Sequence, residues 1–179
     1  MQADRLRMTI TYLQMWRPFR ATAVTPPSPR LRLTRLYEPT VAHYRYLYNG
    51  VGSRWLWYER RHMDDDSLRA IIQHPRLEIY VLYVGDSEGG YFELDGRTAE
   101  EIELAYFGLL PKFIGLGLGR YLLDQALTRA WSKRPQRVWV HTCNFDHPRA
   151  RALYERAGFV AYKQETKLID TPRMLQGPT

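Results

Sequence analysis

The sequence of 179 residues contains one cysteine, Cys143, and lacks any long apolar run. A single thiol cannot form an internal disulfide, and no histidine and cysteine cluster has the spacing of a zinc site. A membrane span needs roughly 18 to 20 consecutive apolar residues, and the first residues have no apolar signal-peptide segment. We therefore expect a soluble, cytoplasmic protein that binds no metal and no membrane.

Negative charge is in deficit, because 26 lysine and arginine residues face 19 aspartate and glutamate residues and give a formal net charge of +7. Most of the basic residues are arginine, which binds phosphate in a bidentate manner. They are scattered along the chain, without a helix-turn-helix, RNA-binding or zinc-finger pattern. The excess fits either an anionic ligand or a solvated surface, and nucleic acid is not an expected partner.

The composition is 45% hydrophobic and 13% aromatic, which is enough for one sizeable core. Residues 1–30 contain a strand-like run, MTITYLQMW, and then TPPSPR, whose prolines favour an extended connector. We predict that residues 1–30 form an N-terminal arm and that residues 31–179 form a single domain.

Hydrophobic periodicity predicts the elements of that domain. LRLTRLY reads as a strand, TVAHYRYLYNG as a helix that ends at Asn49-Gly50, and DDDSLRAIIQHP as a second helix with an aspartate cap. An antiparallel meander follows in three runs, LEIYVLYVG, GGYFELDG and EIELAYFGLL.

The second half changes period, from the helix GLGRYLLDQALTRAW to the strand RVWVHTC. A further helix is predicted to begin at Asp146-His147-Pro148 and to end at Gly158, and FVAYKQETKL closes the domain as a strand. This order indicates an α+β fold with one mixed central sheet flanked by helices.

Three glycines, Gly115, Gly117 and Gly119, alternate between the end of a strand and the start of a helix. Glycine lets the main chain approach a ligand closely, and the amino end of a helix offers free N–H groups to phosphate. We interpret the loop as a phosphate site with Arg120 as a charge partner, or else as a turn that lets strand and helix pack closely. The spacing matches neither a Walker loop nor a Rossmann fingerprint.

The segment LLPKFIGLGLGR resembles the pyrophosphate-binding loop of the GCN5-related N-acetyltransferase (GNAT) family, although Ile114 stands where that family usually has Arg or Gln. HTCNFDHPRARALYERAGFVAY resembles the later motif of the same family. Ala150, Tyr154, Gly158 and Phe159 match it, and His147 replaces the usual asparagine. The resemblance covers residues 31–168.

The resemblance implies an acetyl-CoA-dependent N-acyltransferase that moves an acetyl group directly to a primary amine. It also implies that Asn144 supplies a contact in place of the missing asparagine. The cofactor-binding residues that we expect are Gly108, Leu109, Ile114, Gly115, Leu116, Gly117, Leu118, Gly119, Arg120 and Asn144.

The resemblance further assigns two catalytic residues. Amine acetylation requires a neutral nitrogen, and a lysine-like amine has a pKa of about 10.4, so a base is needed. The family often places a glutamate before the glycine loop, which makes Glu103 the candidate base, with a solvated strand residue as the alternative. Tyr154 matches the tyrosine that assists the leaving thiolate, with a core aromatic residue as the alternative.

The acceptor is not identified by the sequence, and it is either a small molecule or a protein. The loop GSRWLWYERRH either lines the acceptor entrance or forms a lid or homodimer contact. His141 and His147 are either proton shuttles or packing and capping residues, and Cys143 is expected to be a small buried residue. A silent acyl-CoA sensor and a nucleic-acid-binding module remain the alternative functions.

Overall fold

The computed structural model describes residues 5–16, 25–98 and 100–170. In these residues seven strands form one sheet: β1 Arg5–Met15, β2 Leu31–Leu36, β3 Leu77–Val84, β4 Ser87–Asp95, β5 Glu101–Leu109, β6 Arg137–Cys143 and β7 Val160–Asp170. The described helices are α1 Val41–Gly52, α2 Glu59–His62, α3 Asp65–Ile72, α4 Leu118–Ser132 and α5 Ala150–Arg156.

The strand order across the sheet is β2-β3-β4-β5-β6-β1-β7. β5 and β6 run parallel, and every other neighbouring pair is antiparallel. The expected α+β fold with one mixed sheet is therefore confirmed. The strand-like run near the start of the chain is also a strand, β1, and it lies between the two strands nearest the end of the chain.

The arm predicted over residues 1–30 thus contributes a strand to the sheet of the domain. β1 pairs with β6 from Ile10↔Cys143 to Met15↔Val138, and with β7 along most of its length. Leu13 on β1 is fully buried in the same core as Val138 and Val140 of β6. The division of the chain at residue 30 stays a prediction, but β1 packs as part of the sheet.

The sheet separates two hydrophobic cores. One lies between the sheet and helices α4 and α5, and its fully buried members include Leu104, Leu122 and Val138. The other lies beneath α1 and α3, and its members include Tyr44, Leu47 and Leu68. Helix faces with apolar residues at helical spacing cover these two sides of the sheet because each face must be removed from water.

The predicted end of the first helix at Asn49-Gly50 is wrong. The helix continues to Gly52, and the Ser53 N–H donates to the Asn49 carbonyl oxygen over 2.9 Å. A Cβ atom on Gly50 would lie only 2.5 Å from Cδ2 of Leu110. Glycine there lets the Leu110 side chain pack closely against the helix, and it does not end the helix.

The last helix begins later than the sequence predicts, because α5 starts at Ala150. Asp146 does not cap that helix. Its carboxylate accepts hydrogen bonds from the Thr142 hydroxyl and from the Cys143 N–H, both over 2.8 Å. The aspartate therefore closes the turn that follows β6.

Across the described ranges, no helix combines the length and the apolar character that a membrane span requires.

Candidate active site

A fork between the two parallel strands opens the site. β5 and β6 pair only from Glu101↔Arg137 to Glu103↔Trp139, although both strands continue beyond this point. The separated segments border a cavity of about 520 Å³ through residues 104–109 of β5 and through Val140, His141 and Cys143 of β6. A strand pair that diverges in this way leaves main-chain N–H and C=O groups without a strand partner, so they are available to a ligand.

The glycine loop forms one end of this cavity. Gly115 and Gly117 have φ values of +87° and +77°, and a Cβ atom on either would meet no atom within 4 Å. Gly117 is also the residue that precedes the first turn of α4. The loop is thus a hollow that borders the cavity at a helix amino end, which is the arrangement that binds phosphate oxygens. We call residues 114–119 the glycine cradle.

Most of the predicted cofactor-binding residues meet at the cavity. Those that border it are Gly108, Leu109, Ile114, Gly115, Gly117, Gly119 and Arg120. The Leu116 side chain is largely exposed, Leu118 is buried in the core, and neither borders the cavity.

Asn144 does not reach the cavity either. Its side chain accepts from the Thr9 N–H over 2.7 Å and donates to the Arg7 carbonyl oxygen over 3.2 Å. Both amide functions are therefore occupied by the main chain of β1. The contact proposed for Asn144 stays a prediction without support from this geometry.

The main chain at the end of β5 directs one amide toward the fork. The Leu110 N–H donates to the Gly89 carbonyl oxygen on the β4 side over 2.9 Å, and the Gly108 carbonyl oxygen also lies against β4 at Gly90. Successive N–H groups of a strand alternate in direction. The Leu109 N–H therefore points away from β4, toward the fork, whereas the Gly108 N–H points to β4.

The charges around the cavity differ from side to side. Arg120, Arg149 and Arg156 border it on the side of α4 and α5, whereas Glu59 borders it from α2. The Arg120 Nε lies 3.0 Å from the Asp124 carboxylate, which partly neutralises it. The cationic side coincides with the glycine cradle, so anionic groups of a ligand are favoured there.

Glu103 stands at the point where the fork begins. Its Oε1 lies 3.0 Å from Nδ1 of His141, which belongs to β6 and borders the cavity. The Glu103 side chain is only one-fifth exposed, and Glu103 does not border the cavity itself. The predicted base is therefore connected to the cavity through a histidine.

Tyr154 borders the cavity from α5 although only 5% of its surface is exposed. Its ring makes an edge contact with Phe107 of β5, with 6.0 Å between ring centroids. Burial, together with the nearby negative charge of Asp146, raises the pKa of the Tyr154 hydroxyl well above its usual value of about 10. The hydroxyl therefore stays protonated and is a hydrogen-bond donor throughout the neutral range.

Cys143 also borders the cavity, but its chemistry is unsuited to nucleophilic attack. Burial, followed by the charge of Asp146, raises the pKa of the thiol to about 11. The reactive species of cysteine is the thiolate. A thiol with this pKa is almost entirely protonated at neutral pH, and Cys143 is only partly buried at the edge of the cavity.

The aromatic loop before α2 forms the other end of the cavity. Trp55, Trp57 and Tyr58 border it, and the Trp57 Nε1 donates to Oδ1 of Asp146 over 3.2 Å. Arg60 and Arg61 do not border it. The aromatic residues of the predicted acceptor entrance thus border the cavity, whereas its two arginines do not.

Several bordering residues were not predicted from the sequence, among them Tyr106, Arg149 and Arg156. A signal exists for the two arginines, because Arg149, Leu153 and Arg156 recur at the i, i+4 and i+7 spacing of one helix face. Glu59, which also borders the cavity, was predicted only as a member of the loop GSRWLWYERRH and without a role of its own. It reaches the cavity because α2 is held against the sheet by contacts that are distant in sequence.

Comparison with known proteins agrees with this geometry. The profile of the Acetyltransferase (GNAT) family matches residues 44–159. A mycothiol acetyltransferase from Streptosporangium roseum is 32% identical over 104 residues, which cover 52% of this chain and 29% of the relative. The matched region is thus less than a third of that protein.

Solved structures with the same fold include a tandem GNAT protein from the clavulanic acid biosynthesis pathway. It aligns with a TM-score of 0.66 and 14% identity over 92% of this chain and 53% of its own. A Bacillus subtilis acetyltransferase in complex with CoA aligns with a TM-score of 0.54 and 19% identity over 72% and 75% of the two chains.

Proposed function

Because the chain belongs to the acetyltransferase (GNAT) family, we propose that it transfers an acetyl group from acetyl-CoA directly to a primary amine of its acceptor. The observation that carries the proposal is the continuous cavity that joins the glycine cradle to the fork between β5 and β6. One ligand with a pyrophosphate at one end and a thioester at the other would occupy both parts.

The residues present fit such a ligand. The cradle is open where a side chain would fill it, it lies at the amino end of α4, and Arg149 and Arg156 border the same side. The N–H groups of the cradle would hold the pyrophosphate, and the arginines would add charge complementarity. The unpaired edge of β5 would hydrogen-bond the extended arm that reaches the fork.

Acetyl-CoA supplies the thioester carbonyl carbon that the amine attacks. The Leu109 N–H, which points toward the fork, donates a hydrogen bond to the carbonyl oxygen, where negative charge develops. Glu103 is required for removal of the amine proton, and the Tyr154 hydroxyl donates a hydrogen bond to the leaving sulfur. The Leu109 N–H and the Tyr154 hydroxyl thus act on different atoms of the reacting centre, whereas Glu103 is connected to it through His141.

The test is binding of acetyl-CoA to a Gly119→Glu protein, measured by calorimetry. A Cβ atom on Gly119 would make only ordinary contacts, with the nearest atoms at 3.9 Å and 4.0 Å. A carboxylate in the first turn of α4 is also compatible with the helix dipole. We expect the fold to remain intact and binding to be lost, because the new charge repels the pyrophosphate. Gly117 is a poorer target, because its φ of +77° makes any side chain strained.

The matched control is Gly119→Gln, which has nearly the same shape without the charge. We expect it to bind acetyl-CoA more weakly than the wild type but more tightly than Gly119→Glu. Absence of binding to the wild-type protein would refute the proposed function. Tight binding without turnover on any amine would instead support a silent acyl-CoA sensor.

A further inference from the structure

His141 and Glu103 form a hydrogen-bonded pair at the start of the fork. His141 lies two residues after Trp139, the last β6 residue that pairs with β5, and it is on the same face of the sheet as Glu103. Its side chain is 44% exposed, whereas that of Glu103 is 20% exposed. Of the two, only His141 borders the cavity. The imidazole is therefore the member of the pair that a bound acceptor can touch.

The hydrogen bond also determines which nitrogen of the ring is free. A carboxylate can only accept a hydrogen bond, so Nδ1 of His141 carries the proton that it shares with Glu103. Nε2 then presents a lone pair. The rings of Tyr12 and Trp139 flank the imidazole, with centroid distances of 5.8 Å and 6.1 Å, and limit its rotation.

We propose that His141 is the catalytic base and that Glu103 is a positioning residue that orients its imidazole, an inference that rests on the proposed acetyl transfer. Nε2 of His141 removes the proton from the amine nitrogen as that nitrogen attacks. The new C–N bond forms, the C–S bond breaks, and the sulfur leaves with the electron pair as a thiolate. The imidazolium then releases its proton to solvent, and the thiolate takes up a proton from solvent.

The groups around His141 set the pH at which this base is available. Those that face it are Glu103 on β5, Glu59 on α2, Asp146 in the turn after β6, and Tyr12 on β1. Burial lowers the pKa of His141, but the hydrogen bond and charge of Glu103, with the charges of Asp146 and Glu59, outweigh it and raise the pKa above the usual value of about 6.5. The free base thus forms at higher pH, so the rate rises as pH passes through this pKa.

The first measurement is an NMR titration of the histidine ring signals in the wild-type and Glu103→Gln proteins. Glutamine keeps the shape but removes the negative charge, so the pKa of His141 should fall. The ring signals of His43, which pairs with Glu88 and does not border the cavity, should be the same in both proteins and report an intact fold. An unchanged pKa of His141 would overturn the proposal whether or not an acceptor is known.

The second measurement is kinetic and uses butylamine, tyramine and glucosamine as probe amines, with release of the CoA thiol as the readout. His141→Ala should lower kcat/KM by about 100-fold or more, with binding of acetyl-CoA unchanged. Glu103→Gln should lower it less and shift the acidic limb of the pH profile to lower pH. Free imidazole should partly restore His141→Ala, and His43→Ala should retain the wild-type rate and gain nothing from imidazole.

The outcomes separate this inference from the proposed function. Normal turnover by His141→Ala would overturn the assignment of the base, as would complete loss of the acidic limb in Glu103→Gln with His141 intact. Failure of the wild-type protein to bind acetyl-CoA would refute acetyl transfer itself. The NMR titration would even then report whether Glu103 controls the histidine.

Discussion

At the scale of single residues, Tyr154 combines burial with access to the cavity. Removing its hydroxyl should cost about 2 kcal/mol, the value of a hydrogen bond to a charged group, which corresponds to roughly a 30-fold lower kcat. We therefore predict that Tyr154→Phe lowers kcat by this factor and leaves the Kd for acetyl-CoA unchanged. Steady-state kinetics and calorimetry would check both values.

The raised pKa of Tyr154 also predicts how the rate depends on pH. Because the hydroxyl remains protonated above pH 10, no alkaline fall in rate should arise from it. Tyr121 lies in the same core without bordering the cavity, so Tyr121→Phe is the matched control and should keep the wild-type kcat. Equal activities of the two variants would remove Tyr154 from the mechanism.

The sequence identified Glu103 and Tyr154 as candidates through their positions in family motifs, but it did not reveal their surroundings. For His141 the sequence left two roles open, a proton shuttle or a residue that packs within its strand. Strand alternation predicts the face on which a side chain lies, but it does not show which strand lies next to it. The hydrogen bond to Glu103 depends on the parallel pairing of β5 and β6. That pairing joins residues 38 positions apart in the chain.

At the scale of elements, the four-residue helix α2 is held in place by a buried ion pair. Arg60, its only buried residue, donates through Nη2 to the fully buried Glu93 of β4 over 2.9 Å. The Tyr44 hydroxyl donates to the other carboxylate oxygen over 2.7 Å. A helix this short is marginal by itself, so these contacts position the neighbouring Glu59 and Tyr58 at the cavity.

We predict that Glu93→Leu destabilises the fold by about 3 to 5 kcal/mol, because it leaves the guanidinium group buried without a counter-charge. The triple variant Glu93→Leu, Arg60→Met and Tyr44→Phe removes the carboxylate together with its two side-chain hydrogen-bond donors and should lose much less. Free energies of unfolding in urea would measure both. Equal losses would show that the packing of these side chains matters more than the charge of Arg60.

Most elements could be predicted because each carries a local signal, such as the alternation of β6 or the helical spacing of α4. Helix α2 could not, since its four residues are too few to show a periodicity and its stabilising partner Glu93 lies 33 positions from Arg60. The error at Asn49-Gly50 has a related cause. The glycine there meets Leu110, the residue that follows β5.

At the scale of the whole molecule, β1 makes the first described residues part of the central packing. Leu13 is completely buried, so Leu13→Ala should destabilise the protein by about 2 to 5 kcal/mol. Leu168→Ala on β7 is the matched control, because that leucine is 63% exposed and should change stability little. Denaturant unfolding would compare them, and a negligible effect at Leu13 would mean that β1 is only loosely attached.

The mixed sheet and its flanking helices could thus be predicted from the sequence, but the place of β1 could not. Its alternating pattern predicts a strand and does not name a partner. The partners Cys143 and Thr166 follow Ile10 and Thr9 by most of the length of the chain. The strand partners of β1 are therefore known only from the folded sheet.

The position of β1 also imposes an order on folding during protein synthesis. The ribosome makes β1 well before its two partners, β6 and β7, and at the usual rate of translation the delay is on the order of 10 s. During that delay the apolar side chains of β1 have no native strand to cover them, and contacts of such long sequence separation form slowly. The sheet can close only after nearly all of the described chain has been made, so the nascent protein depends on protection from aggregation until β7 emerges.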